Sequence, residues 1–384
     1  MPRVYLDHSA TTPVRAEVAQ LVMEYLTIKF GNPSTVYSFG REAKKGLDKA
    51  REQVAALIKA RSEEIIFTSG GTEADNLAIT GIASAYAERG KHLITSSIEH
   101  QAVLATYKSL ERHGFKITIL PVAKDGLVRV EDVKRAITKD TILISIMHVN
   151  NEVGTIQPVE EIGAIARERQ IVFHTDAVQS VGKIPVNVEE IQADVLTGSG
   201  HKFYGPKGTG FLFLSKGVKL APYVFGGGQE RAYRPGTENV ASIVGMGLAA
   251  ELAGKDLQTE IPRVAALRDK LIQGLRRRIP QVRLNGDAVR RVSNNANLCF
   301  PGAEGEALLE NLDLRGICVS GGSACSTGAL EPSHVLLAMG IPPVLAKSSL
   351  RMTLGIENTE EEIDYVIEQL TQIYHAVVNH GMKK

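Results

Sequence analysis

A chain of 384 residues with 43% hydrophobic and 5% aromatic content can bury a large core or two, and it is neither disordered nor fibrous in composition. Lys and Arg total 44 against 43 Asp and Glu, so a formal charge of +1 gives no electrostatic case for nucleic acid or an anionic membrane as the main partner. The opening MPRVYLDHSATTP lacks the pattern of a secretory signal, and the weakly polar stretch 240–253 contains Glu251, is too short to cross a bilayer and reads as a buried helix. Cys299, Cys318 and Cys325 are odd in number and spaced unlike a zinc site, so neither a disulfide framework nor a metal is expected and a cytoplasmic protein is.

In chain order, EIIFTS (64–69) reads as a strand and 72–90 as a helix ending in Gly90. HLITSS (92–97) is again strand-like, and a helical stretch runs on to Gly114. KITILPV (116–122), TILISIM (141–147), IVFHTD (171–176), DVLTGS (194–199) and GFLFLS (210–215) continue the strand series, with helices near 131–137 and 158–169. Alternation at this spacing implies parallel pairing with right-handed crossovers, a three-layer α/β domain with a mainly parallel sheet. The rhythm changes after about residue 255. There 262–279 places Val264, Leu267, Leu271, Leu275 and Ile279 on one helical face, and NANLCF (295–300) and SLRMTL (349–354) read as strands between helices near 305–314 and 359–378. A smaller α+β domain follows from this, with no repeats or linker, and a site is expected in the cleft between the two.

Several segments carry chemistry. SGGTEADN (69–76) ends a strand, offers two glycines and opens a helix at Thr72, which suits an anion and equally suits a plain βα turn. His100 starts a helix after SSIE, as a capping or packing residue. Asp176 follows an apolar strand at its carboxyl end, where ligands of open α/β sheets bind; it can hold a ring nitrogen protonated or simply cap a helix. Lys202 in GSGHKFYGPKG (198–208) lies one strand further on, so both groups can reach one ring. FGGGQERAYRPGTEN (225–239) suits a second phosphate contact, a subunit interface or a surface loop. Cys299 and Cys318 fit buried positions, whereas Cys325, among Gly, Ser, Ala and Thr in 321–336, suggests an exposed, mobile loop with a nucleophilic or redox thiol. Arg351 in a strand-like run needs an anionic partner, either a substrate carboxylate or a structural Asp or Glu.

Taken together, YLDHSATTP (5–13), FGNPS (30–34), TEADN, SSIEH, HVNNEVGTIQP (148–158), HTDAVQSVGK (174–183), GSGHK, GGGQER, GTEN, SACSTGALEPSHV (323–335) and TEEEID (359–364) resemble, nearly end to end, the cysteine desulfurases of the NifS/IscS type. These belong to the class V aminotransferase group of fold-type-I pyridoxal-phosphate enzymes. The resemblance implies a large cofactor-binding domain over 15–255 and a small domain of 1–14 and 256–384 bearing the cysteine loop. It implies pyridoxal 5'-phosphate on Lys202, with Asp176 at the pyridinium and His100 stacked on the ring and assisting proton transfer. Gly71, Thr72, Ser199 and His201 would hold the phosphate, joined by Thr237 from the neighbouring subunit of a homodimer. Asn151 and Gln179 would address the ring substituents, including the phenolic oxygen. Arg351 would take the carboxylate of L-cysteine, with Asn32 and Asn151 near it. Cys325 would accept the sulfur as a persulfide, leaving alanine, and pass it to an acceptor such as an iron–sulfur scaffold or a tRNA-thiolation enzyme. The alternatives are a selenocysteine lyase or an aminotransferase on the same fold, both disfavoured by the cysteine loop, and a non-catalytic scaffold, disfavoured by Lys202, Asp176, His100 and Cys325 together. AKSSLR (346–351) has Lys347 where the family usually has His, which is expected to alter substrate affinity.

Overall fold

Seven strands form the central sheet of the computed structural model, which describes residues 3–321 and 332–381; their order is Ile65–Thr68, Gly210–Leu214, Val195–Ser199, Val172–Asp176, Thr141–Ser145, His92–Ser96 and Lys116–Leu120. From Val195–Ser199 to Lys116–Leu120 neighbours are parallel. The crossovers contain the helices Gly71–Ala85, Gln101–Arg112, Val130–Ala136 and Val159–Glu168. At the other edge Gly210–Leu214 pairs antiparallel with both neighbours. The segment 200–209 holds only one 3-10 turn, and without a crossover helix a strand must return antiparallel.

Most of these strands are buried throughout because helices cover both faces. The pleat sends alternate side chains to opposite cores. Ile144, Phe173, Leu196 and Phe211 pack on one side; Leu143, Val172, Val195 and Leu212 pack on the other.

A second core surrounds a four-stranded antiparallel sheet, ordered Ser320–Gly321, Ser349–Thr353, Asn295–Cys299 and Arg283–Leu284. The chain's beginning joins it: Val4–Tyr5 runs parallel to Ile317–Cys318, and Val4 and Leu6 are buried with Leu298, Leu350 and Leu370. The two helices expected near 240–253 and 262–279 are one, Val240–Arg278, with Pro262 inside it. Its Ile243, Met246 and Ala250 pack in the first core and its Val264, Leu271 and Leu275 in the second. The division read near residue 255 therefore falls within a continuous rod. Cys299 is buried as expected, but Cys318 is only half-buried, because its strand has two residues and lies at an edge. No helix among the described residues is long and apolar enough to cross a membrane.

Candidate active site

The carboxyl ends of adjacent parallel strands bring the chemistry together. Asp176 ends one strand and pairs in register with Thr197 of the next, whose last residue is Ser199; Lys202 closes the turn beyond it. Above them lies a cavity of about 280 Å³. Of the residues the sequence suggested, Gly71, Thr72, His100, Asn151, Asp176, Gln179, Ser199, His201, Lys202 and Arg351 line it.

One wall is the start of helix Gly71–Ala85. Gly70 has a φ of 154°, and a Cβ on Gly71 would meet Val178 Cγ2 at 2.9 Å, so the chain turns into the helix close to its neighbour only because side chains are missing there. First-turn N–H groups have no intrahelical acceptor, and with the positive end of the helix they suit a phosphate or carboxylate. Ser199 and His201 face the same space. The His201 ring lies 3.1 Å from Thr11 Oγ1 and titrates at about 4, mainly because burial disfavours its charge and next because Lys202 is adjacent.

Opposite stands the segment 7–10. Lys202 Nζ donates to the carbonyls of Ser9 and Ala10 at 2.6 and 2.8 Å. Gln179 Nε2 donates to the Ser9 carbonyl at 3.0 Å, while its Oε1 accepts from Lys183 Nζ at 2.6 Å. His100 is the N-cap expected of it, accepting from Ala102 N–H at 3.1 Å, and it also faces the cavity.

Asp176 is buried and accepts from Val178 N–H at 2.9 Å. Burial raises its pKa, while His100 and Lys202 pull it down. Asp75, also in the lining, is pushed well above the usual carboxylate range by burial and by Asp176, and its Oδ1 has no hydrogen-bond partner among the described residues, the His174 ring lying 3.7 Å away. Two buried acids thus share the floor of the cavity, and His100 and Lys202 favour the ionised form of Asp176.

Arg351 Nη2 meets Asp7 Oδ1 at 2.8 Å and Nη1 meets the Asn151 carbonyl at 3.2 Å. The structural acid is thus Asp7, and Arg351 lines the cavity as well. Asn32 and Thr237 are exposed and are not part of this lining; Asn32 Oδ1 accepts from Ser34 N–H at 2.9 Å. Lys347, at the end of helix Pro343–Lys347, is exposed and away from the lining, because its helix turns it to solvent. Cys325 lies outside the described residues. Sequence reading had missed Ser9, Ala10, Asp75 and Met147 as cavity walls. Ser9, Ala10 and Asp75 sit in the motifs YLDHSATTP and TEADN, where acids and small residues look solvated, and Met147 ends the strand-like run TILISIM, where an apolar side chain looks like core.

An anion cradle, an amine and a buried acid around one small cavity suit a flat molecule carrying a phosphate, a carbonyl and a basic ring nitrogen. The class follows from comparison: residues 4–366 match the aminotransferase class-V family, and the chain belongs to that family. Within it, the chain is 53% identical over 370 residues to the cysteine desulfurase IscS of Dictyoglomus turgidum, covering 96% of this chain and 94% of that one. A solved NifS-like protein superposes with a TM-score of 0.92 at 38% identity, over 98% of this chain and 100% of the other. A structure described as SspA in complex with cysteine superposes at 0.82 with 36% identity, over 93% and 100%.

Proposed function

We propose that the chain is a pyridoxal-phosphate-dependent cysteine desulfurase, converting L-cysteine to L-alanine and carrying the sulfur on Cys325. The observation that carries this is the meeting of Lys202, Asp176 and the glycine-opened helix start at one cavity. The fit is local: the cradle at Gly70–Gly71 would be filled by a Cβ, and a buried acid waits for a cationic ring nitrogen. Lys202 would hold the cofactor covalently, Asp176 its ring nitrogen, and Gly71, Thr72, Ser199 and His201 its phosphate. When bound, the cofactor supplies an electron sink for the substrate's α-carbon.

The chain's own groups then divide the work. Lys202 Nζ takes the α-proton of the substrate, beside the Ser9 and Ala10 carbonyls that orient it. Asp176 would keep a proton on the ring nitrogen when the cofactor is bound. His100, fixed as a helix cap and lining the cavity, would stack on the bound ring and assist proton transfer. Arg351 holds the substrate carboxylate, with Asn151, whose carbonyl it already meets, near it. The Cys325 thiolate attacks the substrate sulfur; the bond from sulfur to the β-carbon breaks, and the carbon fragment leaves as alanine after protonation. The enzyme retains a persulfide, which passes to an acceptor protein for iron–sulfur cluster assembly or tRNA thiolation. A cytoplasmic homodimer fits this reading: Met23, Leu26, Ile28, Phe30, Val36, Tyr37 and Phe39 are exposed apolar residues of one chain segment, and the exposed Thr237 completes the phosphate site of the second copy.

The test is incubation with L-cysteine and a thiol reductant, reading alanine, sulfide and, by mass spectrometry, one sulfur added at Cys325. Lys202→Ala is expected to lower the rate by about 10²-fold or more, and Cys325→Ser to abolish sulfide release while the cofactor stays bound. Equal sulfide release by Cys325→Ser overturns the persulfide route. A keto acid in place of alanine identifies an aminotransferase, and turnover of selenocysteine alone a selenocysteine lyase.

A further inference from the structure

Lys183 ends the segment 174–183 and is 7% exposed, yet the charges that act on its ammonium are the cations Lys202 and Arg351 rather than an acid. A buried cation among cations is costly, and an apolar side chain of equal length would be cheaper there. Among the described residues its hydrogen bond is the one of 2.6 Å to Gln179 Oε1. An ammonium has donors only, so it fixes which end of the Gln179 amide faces it. The amide nitrogen must then turn the other way, where one N–H meets the Ser9 carbonyl at 3.0 Å. That carbonyl also accepts from Lys202. The second N–H of Gln179 is left for the cavity that Gln179 lines.

We infer that Lys183 is a positioning residue, locking Gln179 as a hydrogen-bond donor toward the cavity and so selecting a ligand with an anionic ring oxygen at that wall. The inference rests on the pyridoxal-phosphate reading, in which the phenolic oxygen is that group. The groups facing Lys183 fit this use of its charge. His8 of the first segment, Lys202 and Tyr204 of the turn region and Asp256 of the long helix share a small cavity of about 20 Å³ with it. His201 and Arg351 feel or exert its charge. Burial, Lys202 and Arg351 bring Lys183 down to about 7, so a cationic fraction persists at neutral pH. The same charge helps hold His8 neutral, after burial, at about 4.

The experiment compares full-length native protein with Lys183→Met and Lys183→Arg, each titrated with pyridoxal 5'-phosphate. Two readouts are the dissociation constant and the pH midpoint of the visible absorbance change of the loaded protein. Lys183→Met is expected to weaken binding about tenfold and to raise the midpoint by about one pH unit, as expected for loss of one nearby charge at an effective dielectric of about 20. Lys183→Arg, still a donor-only cation, is expected to recover most of the midpoint. A Lys183→Met protein that binds as tightly as native with an unmoved midpoint overturns the inference. Should Lys183→Met fail to fold, Lys183→Gln is read the same way. If native protein itself binds no pyridoxal 5'-phosphate, the cofactor reading falls and this inference with it, a result distinct from an unmoved midpoint.

Discussion

Arg351 reaches the cavity already paired. Its side chain is 4% exposed and that of Asp7 17%, and Ser320 Oγ holds the second Asp7 oxygen at 2.9 Å. A substrate carboxylate must share this guanidinium, whose Nε has no hydrogen-bond partner among the described residues. Removing one member of such a pair leaves the other charge buried and uncompensated. Asp7→Asn is therefore expected to lower stability by about 3 kcal/mol in urea unfolding, and to lower KM for cysteine because the substrate then supplies the main anion. Unchanged stability and unchanged KM would mean that the pair carries no net weight. That Arg351 needs an anion was legible in the sequence; that Asp7 supplies it was not, since 344 positions separate them. Asp75 and Lys183 were hidden for a related reason. Charged residues inside polar motifs look solvated until neighbouring elements close over them.

At the scale of elements, the loop after Phe225 inverts a common expectation. Its glycine run suggests left-handed backbone, yet of the glycines between 226 and 236 only Gly236 has a positive φ. The left-handed residues are Glu230, Arg231 and Ala232, at 46°, 58° and 64°, each costing about 1 kcal/mol. Side chains offset that cost. Arg51 grips Glu230 with two bonds of 2.7 and 2.8 Å, Phe67 N–H donates to the same carboxylate at 2.9 Å, and Arg231 donates to the Ile65 carbonyl at 2.9 Å. Arg234 adds a bond of 2.7 Å to Glu73 at the helix that opens the site. Glu230→Gln removes the anion from a carboxylate whose side chain is 3% exposed, so a loss of about 3 kcal/mol is expected, with faster hydrogen exchange across 226–236. Exchange no faster than native would show that the clamp does not hold the turn. The long helix was misread in two pieces for a matching reason: Pro262 signals a break locally, but two cores that both need the same rod override it.

For the whole molecule, the alternation of apolar runs and helices made the central sheet legible, because that pattern has few parallel solutions. The antiparallel edge and the joining of residues 4–5 to 317–318 were not, since pairing partners leave no mark in either segment alone. The same burial that shapes the site also sets how stability depends on pH. Glu99 is fully buried, accepts from Ser96 and Met147, and titrates at about 8 against an ordinary 4.5, mainly because burial disfavours its charge. Folded protein therefore holds a proton there that unfolded protein gives up. The stabilisation is complete below pH 4.5 and declines as pH rises toward 8, by at most about 1.4 kcal/mol per unit. Glu152, raised to about 7, acts in the same direction; His8 and His148, lowered to about 4 by burial, act oppositely up to their ordinary 6.5. Lys183, lowered to about 7, opposes above neutrality. A raw stability profile mixes these groups, but Glu99→Gln isolates one, because glutamine is close in shape to the protonated acid. The difference in unfolding free energy, Glu99→Gln minus native, is expected to rise from pH 5 to pH 7.5 and to level off above 8. A flat difference across that range would mean that Glu99 is ionised in the folded protein, with the three hydrogen bonds it accepts outweighing its burial.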